Sequence, residues 1–459
     1  MRPKVRKSAK LRKLRQWLNG SLWRTFALRL AAITLVISLA SFARLLNIAG
    51  IDDWLERLQL EQMDYSVNVA PPAALRLIYI KGDDVLDNSK VDFQTRAQLW
   101  RREHARLLRA LANAPRLVAF DLEFPKPDSD ADSQTATIEL GKAIHDATMR
   151  VLIGADLNDD GVPSLTAALN SADLALTGVG GLRLEQGARS KLVRRYILAE
   201  SQAPAGVLHG PQPAIPSLAL MMRLAELSPS RAARTSVQLD EANRQIILLA
   251  GGKALERISC DIERELRPQS PRWLATIPFH YRGDSVPRGD RYTDVLRRLP
   301  DAPTEYKNKI LLIGAQNDKE IGDEGGERVR LAPDPDKRFA YGYQVHASVF
   351  SDLSQNTYPR RLPWLLQVSV LLVLALIAGT GRAKLPNTEF EVDTKIIGKR
   401  KVPLGLLILL GVYIAVVWVF YRSAFILFDV GYGALAVVSA YFLCGNVFVP
   451  RAAVERGPS

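Results

Sequence analysis

Cysteine is nearly absent: the 459 residues include two, Cys260 and Cys444. One falls in a long polar stretch and the other in an apolar run, so no intrachain disulfide is expected. Acidic residues are missing from residues 1–48, which carry eleven Lys and Arg. Residues 49–361 are nearly balanced, with 41 basic against 43 acidic, and residues 362–459 hold nine basic and five acidic. A net charge of +13 concentrated beside apolar runs is a membrane-topology signal, and no nucleic-acid partner is expected from it.

Signatures of catalysis are also lacking. The chain has no P-loop, HExxH, GxSxG or paired CxxC, and it reads as a non-enzyme. Gly178–Gly181 has no strand-and-helix context for a phosphate. The acid-rich stretch Asp318–Glu327 lacks the register of a calcium loop. No metal site is assigned, and the sequence leaves any cofactor unknown.

What the chain does have is four apolar runs: 25–43, 362–380, 403–421 and 430–449. Each is about the length that crosses some 30 Å of hydrocarbon as a helix. Nine of the eleven N-terminal basic residues precede the first run, and the loop 381–402 holds Arg382, Lys384, Lys395, Lys399, Arg400 and Lys401. Cytoplasmic flanks retain Lys and Arg. The expected topology therefore puts residues 1–24, loop 381–402 and tail 450–459 inside, and residues 49–361 outside the bacterial inner membrane. Arg29 can snorkel from the inner end of the first run. Ser41-Phe42-Ala43 also offers small residues for a signal peptidase, so a cleaved leader competes with an uncleaved anchor. Apart from Arg29 the runs hold no ionisable residue at depth, which argues against a transporter.

Residues 49–361 suffice for one large domain or two small ones. Leu75–Lys81, Arg116–Phe124, Met149–Leu157, Leu274–Arg282 and Lys309–Ala315 read as strands, and 236–239 with 245–249 as a hairpin. Helices are expected over 93–112, 137–147, 216–227, 293–299 and 343–353. Stretches 178–187, 201–216 and 317–337 read as loops. Short apolar strands alternating with helices predict an α/β fold, a mostly parallel sheet with flanking helices, joined to α-helical transmembrane segments.

The stretches Ile78–Asp84 (IYIKGDD), Val118–Phe124 (VAFDLEF), Pro278–Gly283 (PFHYRG), Tyr292–Leu296 (YTDVL), Lys309–Ala315 (KILLIGA) and Tyr341–Leu353 (YGYQVHASVFSDL) occur in an order that resembles the second CHASE-type family. That name denotes cyclase/histidine-kinase-associated sensory extracellular domains. Three closing membrane segments, as here, are usual in the family. The resemblance covers about residues 25–449 and implies a sensory domain outside the membrane. Such domains usually feed a fused kinase or cyclase. Here only Pro450–Ser459 follows the last run, so a separate membrane or cytoplasmic signalling partner is expected.

Candidate ligand-binding residues are Asp83, Asp84, Asp121, Glu123 and His346. Asp121 and Glu123 alternate with apolar residues, so they share a sheet face. If their strand neighbours 75–81, the acids converge near the strand ends, where α/β sheets bind ligands. Asp121 could instead cap a turn or pair with an Arg of the 93–112 helix. His346 is a pH-sensor candidate or a packing residue. His280 is a further ligand candidate, and Tyr281 and Arg282 beside it read as structural. The basic stretches 2–15 and 395–401 suit docking, or anionic lipid. The signal would pass along helix 343–353 into the 362 run. A homodimer would suit such coupling, though no heptad run specifies one. A membrane scaffold of a stress or defence system is the alternative, and an outer-face hydrolase using Asp121 and Glu123 a third reading.

Overall fold

Leu75–Lys81 is buried along nearly its whole length, which requires a strand covered on both faces. The computed structural model describes residues 21–42, 55, 70–81, 84, 100–111, 114–124, 130–155, 172–176, 182–184, 193–202, 211–228, 230, 233–265, 272–279, 281, 286–302, 304–316, 328–330, 339–381, 389–394 and 398–444. They fall into two compact units. One is Asn68–Arg360; the other joins Met1–Val67 to Arg361–Ser459.

Helix α1 (Ser21–Phe42) opens the chain. The middle unit begins with β1 (Leu75–Lys81), α2 (Arg101–Ala110), β2 (Leu117–Glu123), α3 (Ala131–Asp146), β3 (Arg150–Ala155) and β4 (Asp173–Leu176). Next come β5 (Leu182–Leu184), β6 (Val193–Gln202), β7 (Gln212–Pro216), α4 (Leu218–Leu227), β8 (Thr235–Asp240), β9 (Gln245–Ala250) and β10 (Lys253–Ser259). The unit continues with β11 (Asp261–Glu265), β12 (Arg272–Pro278), β13 (Gly289–Arg291), α5 (Tyr292–Arg298) and β14 (Ile310–Gln316). It closes with β15 (Arg328–Arg330), β16 (Phe339–Tyr341) and α6 (Gly342–Gln355). Helices α7 (Trp364–Gly381), α8 (Leu404–Ala424) and α9 (Val430–Leu443) belong with α1.

In the middle unit β13, β1, β14, β2, β3 and β4 lie side by side in that order, all parallel. Strand alternation sorts their side chains. Ile78, Ile80, Val118, Phe120, Ile153 and Ile313 face α2, α3 and α5. Leu75, Leu77, Leu117, Ala119, Leu152 and Leu312 face α4, α6 and a second sheet.

That second sheet corrects the expectation of a single sheet. It is antiparallel, in the order β10, β9, β8, β7, β6, β12, β11, with β5 on β6. Its 235–240 and 245–250 hairpin matches the sequence reading. Several other strands do not read as apolar runs, because their charges pair across the sheet. Arg272 Nη1 donates to Glu200 Oε1 at 2.6 Å, and Arg195 meets Asp261 at 3.6 Å and also Glu263. Three expected loops contain strands: 182–184 within 178–187, 212–216 within 201–216, and 328–330 within 317–337. Helix α3 starts six residues earlier than expected, because the Asp130 carboxylate accepts from Ser133 N at 2.9 Å and caps it. The expected 93–112 helix is seen from Arg101; residues 91–99 lie outside the described residues.

Strand β14 lies between β1 and β2, so the two strands expected to bring the acids together are not neighbours. At Gly314 on β14 an added Cβ would sit 2.3 Å from Tyr343 Cβ. The glycine lets α6 press directly onto the sheet. Helix α6 ends at Gln355, where Asn356 takes a left-handed conformation (φ 58°), which asparagine tolerates better than most residues. It does not run on as a helix into α7.

In the other unit α1, α7, α8 and α9 pack around Phe26, Leu30, Ile33, Ile37, Leu371, Ala375, Tyr432, Ala436 and Tyr441. Tyr413 lies against the backbone of Gly433, where a Cβ would fall 2.0 Å from its hydroxyl. Arg29 Nη1 donates to Leu443 O at 2.7 Å, so it serves the C-terminal end of α9. Two helices, Trp23–Ser41 and Leu404–Ala424, are long and apolar enough to cross a membrane; Leu365–Thr380 and Val430–Leu443 are shorter apolar helices. The loop 381–402 contains a strand pair, 389–394 with 398–403. Its register sets Glu391 opposite Lys401 and Asp393 opposite Lys399.

Replacing Gly314 by Ala should destabilise the middle unit by about 1–3 kcal/mol through overpacking against Tyr343. A lower thermal midpoint for the purified full chain would show it; an unchanged midpoint would mean α6 does not bear on β14.

Candidate functional site

Register places Arg291, Tyr79, Gly314 and Asp121 in one row across β13, β1, β14 and β2. Helix α6 crosses that row. Tyr343 stands over Gly314, and His346, about one turn later, faces Asp121, with Nε2 to Oδ1 at 3.3 Å. The other ring nitrogen, Nδ1, is hydrogen-bonded to the hydroxyl of Tyr196 on β6. The Tyr196 phenol also engages the side chain of Ser217 and the backbone of Ala219. Ser217 in turn accepts from Leu220 N at 3.4 Å, capping α4.

The result is one polar chain, Asp121–His346–Tyr196–Ser217, running from the parallel sheet through α6 to the antiparallel sheet and α4. It is closed to solvent: Asp121 is 3% exposed and the other three 0%. Burial, chiefly, holds the Tyr196 phenol far above its ordinary pKa, with the Asp121 charge adding to it. A protonated phenol can donate to Nδ1; Nε2 lies close to the carboxylate but outside hydrogen-bond geometry.

The acids of the first strand go elsewhere. Asp84 accepts from Lys81 N at 2.9 Å and from Arg291 Nε at 2.7 Å, closing the turn after β1 and tying β1 to β13. It is 1% exposed. The structure therefore brings Asp121 to His346, and Asp84 to Arg291, two strands away. Neither sequence reading of Asp121 named His346 as its partner. The arginines of α2 lie on the opposite face of the sheet. Asp83, His280 and Arg282 lie outside the described residues, as does the side chain of Glu123. Tyr281 is partly buried, and burial pushes its phenol up to about 12. Among the described residues no three His, Cys, Asp or Glu side chains gather to hold a metal.

Sequence reasoning missed Tyr196. Its signal was the run Tyr196–Ala199 bounded by charges, which marks a short buried strand. It also missed His104 on α2, whose Nδ1 meets the Tyr292 hydroxyl at 2.9 Å while Phe120 and Phe124 pack on its ring. Burial, aided by the nearby Arg101 charge, lowers the His104 pKa to about 3.

The described residues thus define a two-sheet α/β domain whose core is crossed by a polar chain, in a protein that also carries an apolar helical unit. The chain belongs to the CHASE2 family: the model of the CHASE2 domain matches residues 30–381, from within α1 to the end of α7. CHASE2 is a family of sensory extracellular domains. No curated protein and no solved structure matches the chain.

Two predictions follow from this geometry. Folded His104 stays neutral down to about pH 3, whereas the unfolded side chain titrates near 6.5. Between those values the unfolded state binds the extra proton, so stability falls as pH falls, by up to about 1.4 kcal/mol per pH unit. Denaturant unfolding of a His104→Gln variant across pH 6 to 4 should show that slope reduced. Separately, Tyr196→Phe should cost about 1–3 kcal/mol by leaving buried polar partners unmet; equal stability of the two proteins would detach the phenol from the chain.

Proposed function

We propose that this protein is a membrane-embedded sensor whose middle unit lies outside the inner membrane, detects a signal there, and relays it through α6 towards α7 to a separate signalling partner. The observation that carries the reading is the buried Asp121–His346–Tyr196 chain. It joins both sheets to the one helix that leads towards the apolar unit. A ligand or proton that favours one arrangement of this chain would shift the position of α6, and only such differential binding can drive a relay.

Burial supports the membrane part. Among the described residues, every large hydrophobic side chain that is exposed belongs to α1, α7, α8 or α9, except Ile138 and Leu255. A ring of Leu28, Leu35, Leu366, Leu372, Val412, Ile414, Val419 and Leu443 facing outward fits a hydrocarbon solvent. With the N-terminal basic residues retained inside, four crossings leave both basic flanks on the cytoplasmic side. There they can meet the partner or anionic lipid.

Cysteine labelling tests the orientation. In a Cys260→Ser, Cys444→Ser background, Leu255→Cys should react with an impermeant maleimide in right-side-out vesicles. Val392→Cys should react only after permeabilisation. The reverse pattern would overturn the topology and with it the sensing of an outer signal.

A further inference from the structure

The Asp121–His346–Tyr196 chain is sealed from solvent, so a ligand needs another point of entry. One lies next to it. Tyr79 on β1, Tyr281 after β12, Tyr341 at the N-cap of α6 and Tyr343 in its first turn come together where β1, β14 and the end of β12 meet the start of α6. Tyr341 and Tyr343 stack, with ring centroids 6.1 Å apart and planes 14° apart. Gln316, the last residue of β14, donates its side-chain amide to the Tyr343 hydroxyl at 3.0 Å.

Tyr343 is 1% exposed, but Tyr79, Tyr281, Tyr341 and Gln316 all keep partial access to solvent. Gly289 on β13 leaves room for the Tyr79 ring: a Cβ there would lie 2.9 Å from Tyr79 Cδ1. The five side chains are all neutral, and the Asp84–Arg291 pair beside Tyr79 consumes its own charges. Flat apolar faces edged by hydroxyl and amide groups suit a neutral ring with hydrogen-bonding groups on its rim, and among the described residues the cluster itself supplies no counter-charge for an ion.

We propose that this tyrosine cluster is the ligand site of the middle unit, taking a small neutral ring compound, aromatic or saccharide, that stacks on Tyr79 and Tyr341. Tyr343 links it to the polar chain, since it sits three residues before His346 on the same helix. The proposal deepens the sensor reading and rests on it for its biological meaning, but the binding stands or falls separately.

The test uses the full chain in vesicles, in the cysteine-free background with Gln355→Cys, an exposed position at the end of α6. The probes are indole, trehalose and tetramethylammonium. Two readouts are taken: the thermal midpoint, for binding, and the maleimide labelling rate of the new cysteine, for movement of α6. Indole or trehalose should raise the midpoint, and which of them does so identifies the ring type. Tyr79→Ala should weaken that binding about two- to tenfold, as loss of one aromatic contact predicts, while Tyr79→Phe should keep it. Response to tetramethylammonium alone, to no probe, or equally in Tyr79→Ala would overturn the site. Binding that is lost in Tyr79→Ala without any change in labelling rate would uphold the site and overturn the relay. Should Tyr79→Ala fold poorly, Tyr281→Ala supplies the same comparison from the other side of the cluster.

Discussion

A carboxylate buried without a partner costs several kcal/mol, and the middle unit meets that demand at Asp121 with an imidazole. Much else depends on this pairing. The imidazole reaches Asp121 only if α6 lies directly on the sheet. Helix α6 lies there only because β14 presents Gly314 in the row beside Asp121. The second imidazole nitrogen then needs its own partner at a depth no water reaches, and Tyr196 brings β6 and the antiparallel sheet to it. A substitution at any of these residues is felt by the others, so their effects should not add.

The two described core histidines show how surroundings divide one residue type into two roles. His104 sits among Phe120, Phe124 and Tyr292 with Arg101 nearby, and its burial, with the Arg101 charge, disfavours the protonated ring. It behaves as a polar-edged aromatic ring that fixes α5 to α2. His346 stands between an acid and a phenol, so both of its nitrogens have polar counterparts in different sheets. Only the second arrangement places one imidazole between polar groups of two different sheets.

Much of the parallel sheet was legible because its strands are short apolar runs with turn residues at their ends. LRLIYIK, KILLIGA and the 117–123 strand match the structure to within a residue or so. The order of those strands was not legible. Nothing local in KILLIGA, near the end of the domain, says that it inserts between the first two strands. The antiparallel sheet was hidden for a different reason. Strand DIERE bears charges that look solvated until the sheet brings Arg195 of β6 to Asp261 and Glu263, and KALERIS is largely exposed, with Glu256 paired to Arg223 of α4. The site divides in the same way. Asp121 and His346 were each singled out from their local pattern, but their contact spans 225 positions along the chain and depends on the path of α6. Tyr196 lay in one of the hidden strands.

The end of α6 constrains how a signal could leave the middle unit. Asn356 turns the backbone into the left-handed region, and Thr357 is held back to Asp352 through both its amide and its hydroxyl. That closed terminus cannot transmit helical rotation as a continuous rod would, so on the proposed reading a shift of α6 travels as displacement of the chain beyond it. In the apolar unit the start of α7 is itself anchored. Gln367 donates to Ser41 Oγ at 2.8 Å and also to the Asp429 carboxylate, which accepts from Ser41 at 3.1 Å. One carboxylate thus ties α7, the end of α1 and the turn before α9 at a single point. A bilayer offers those groups few other partners, so on the proposed reading a displacement of α7 is shared with α1 and α9 rather than absorbed by one helix.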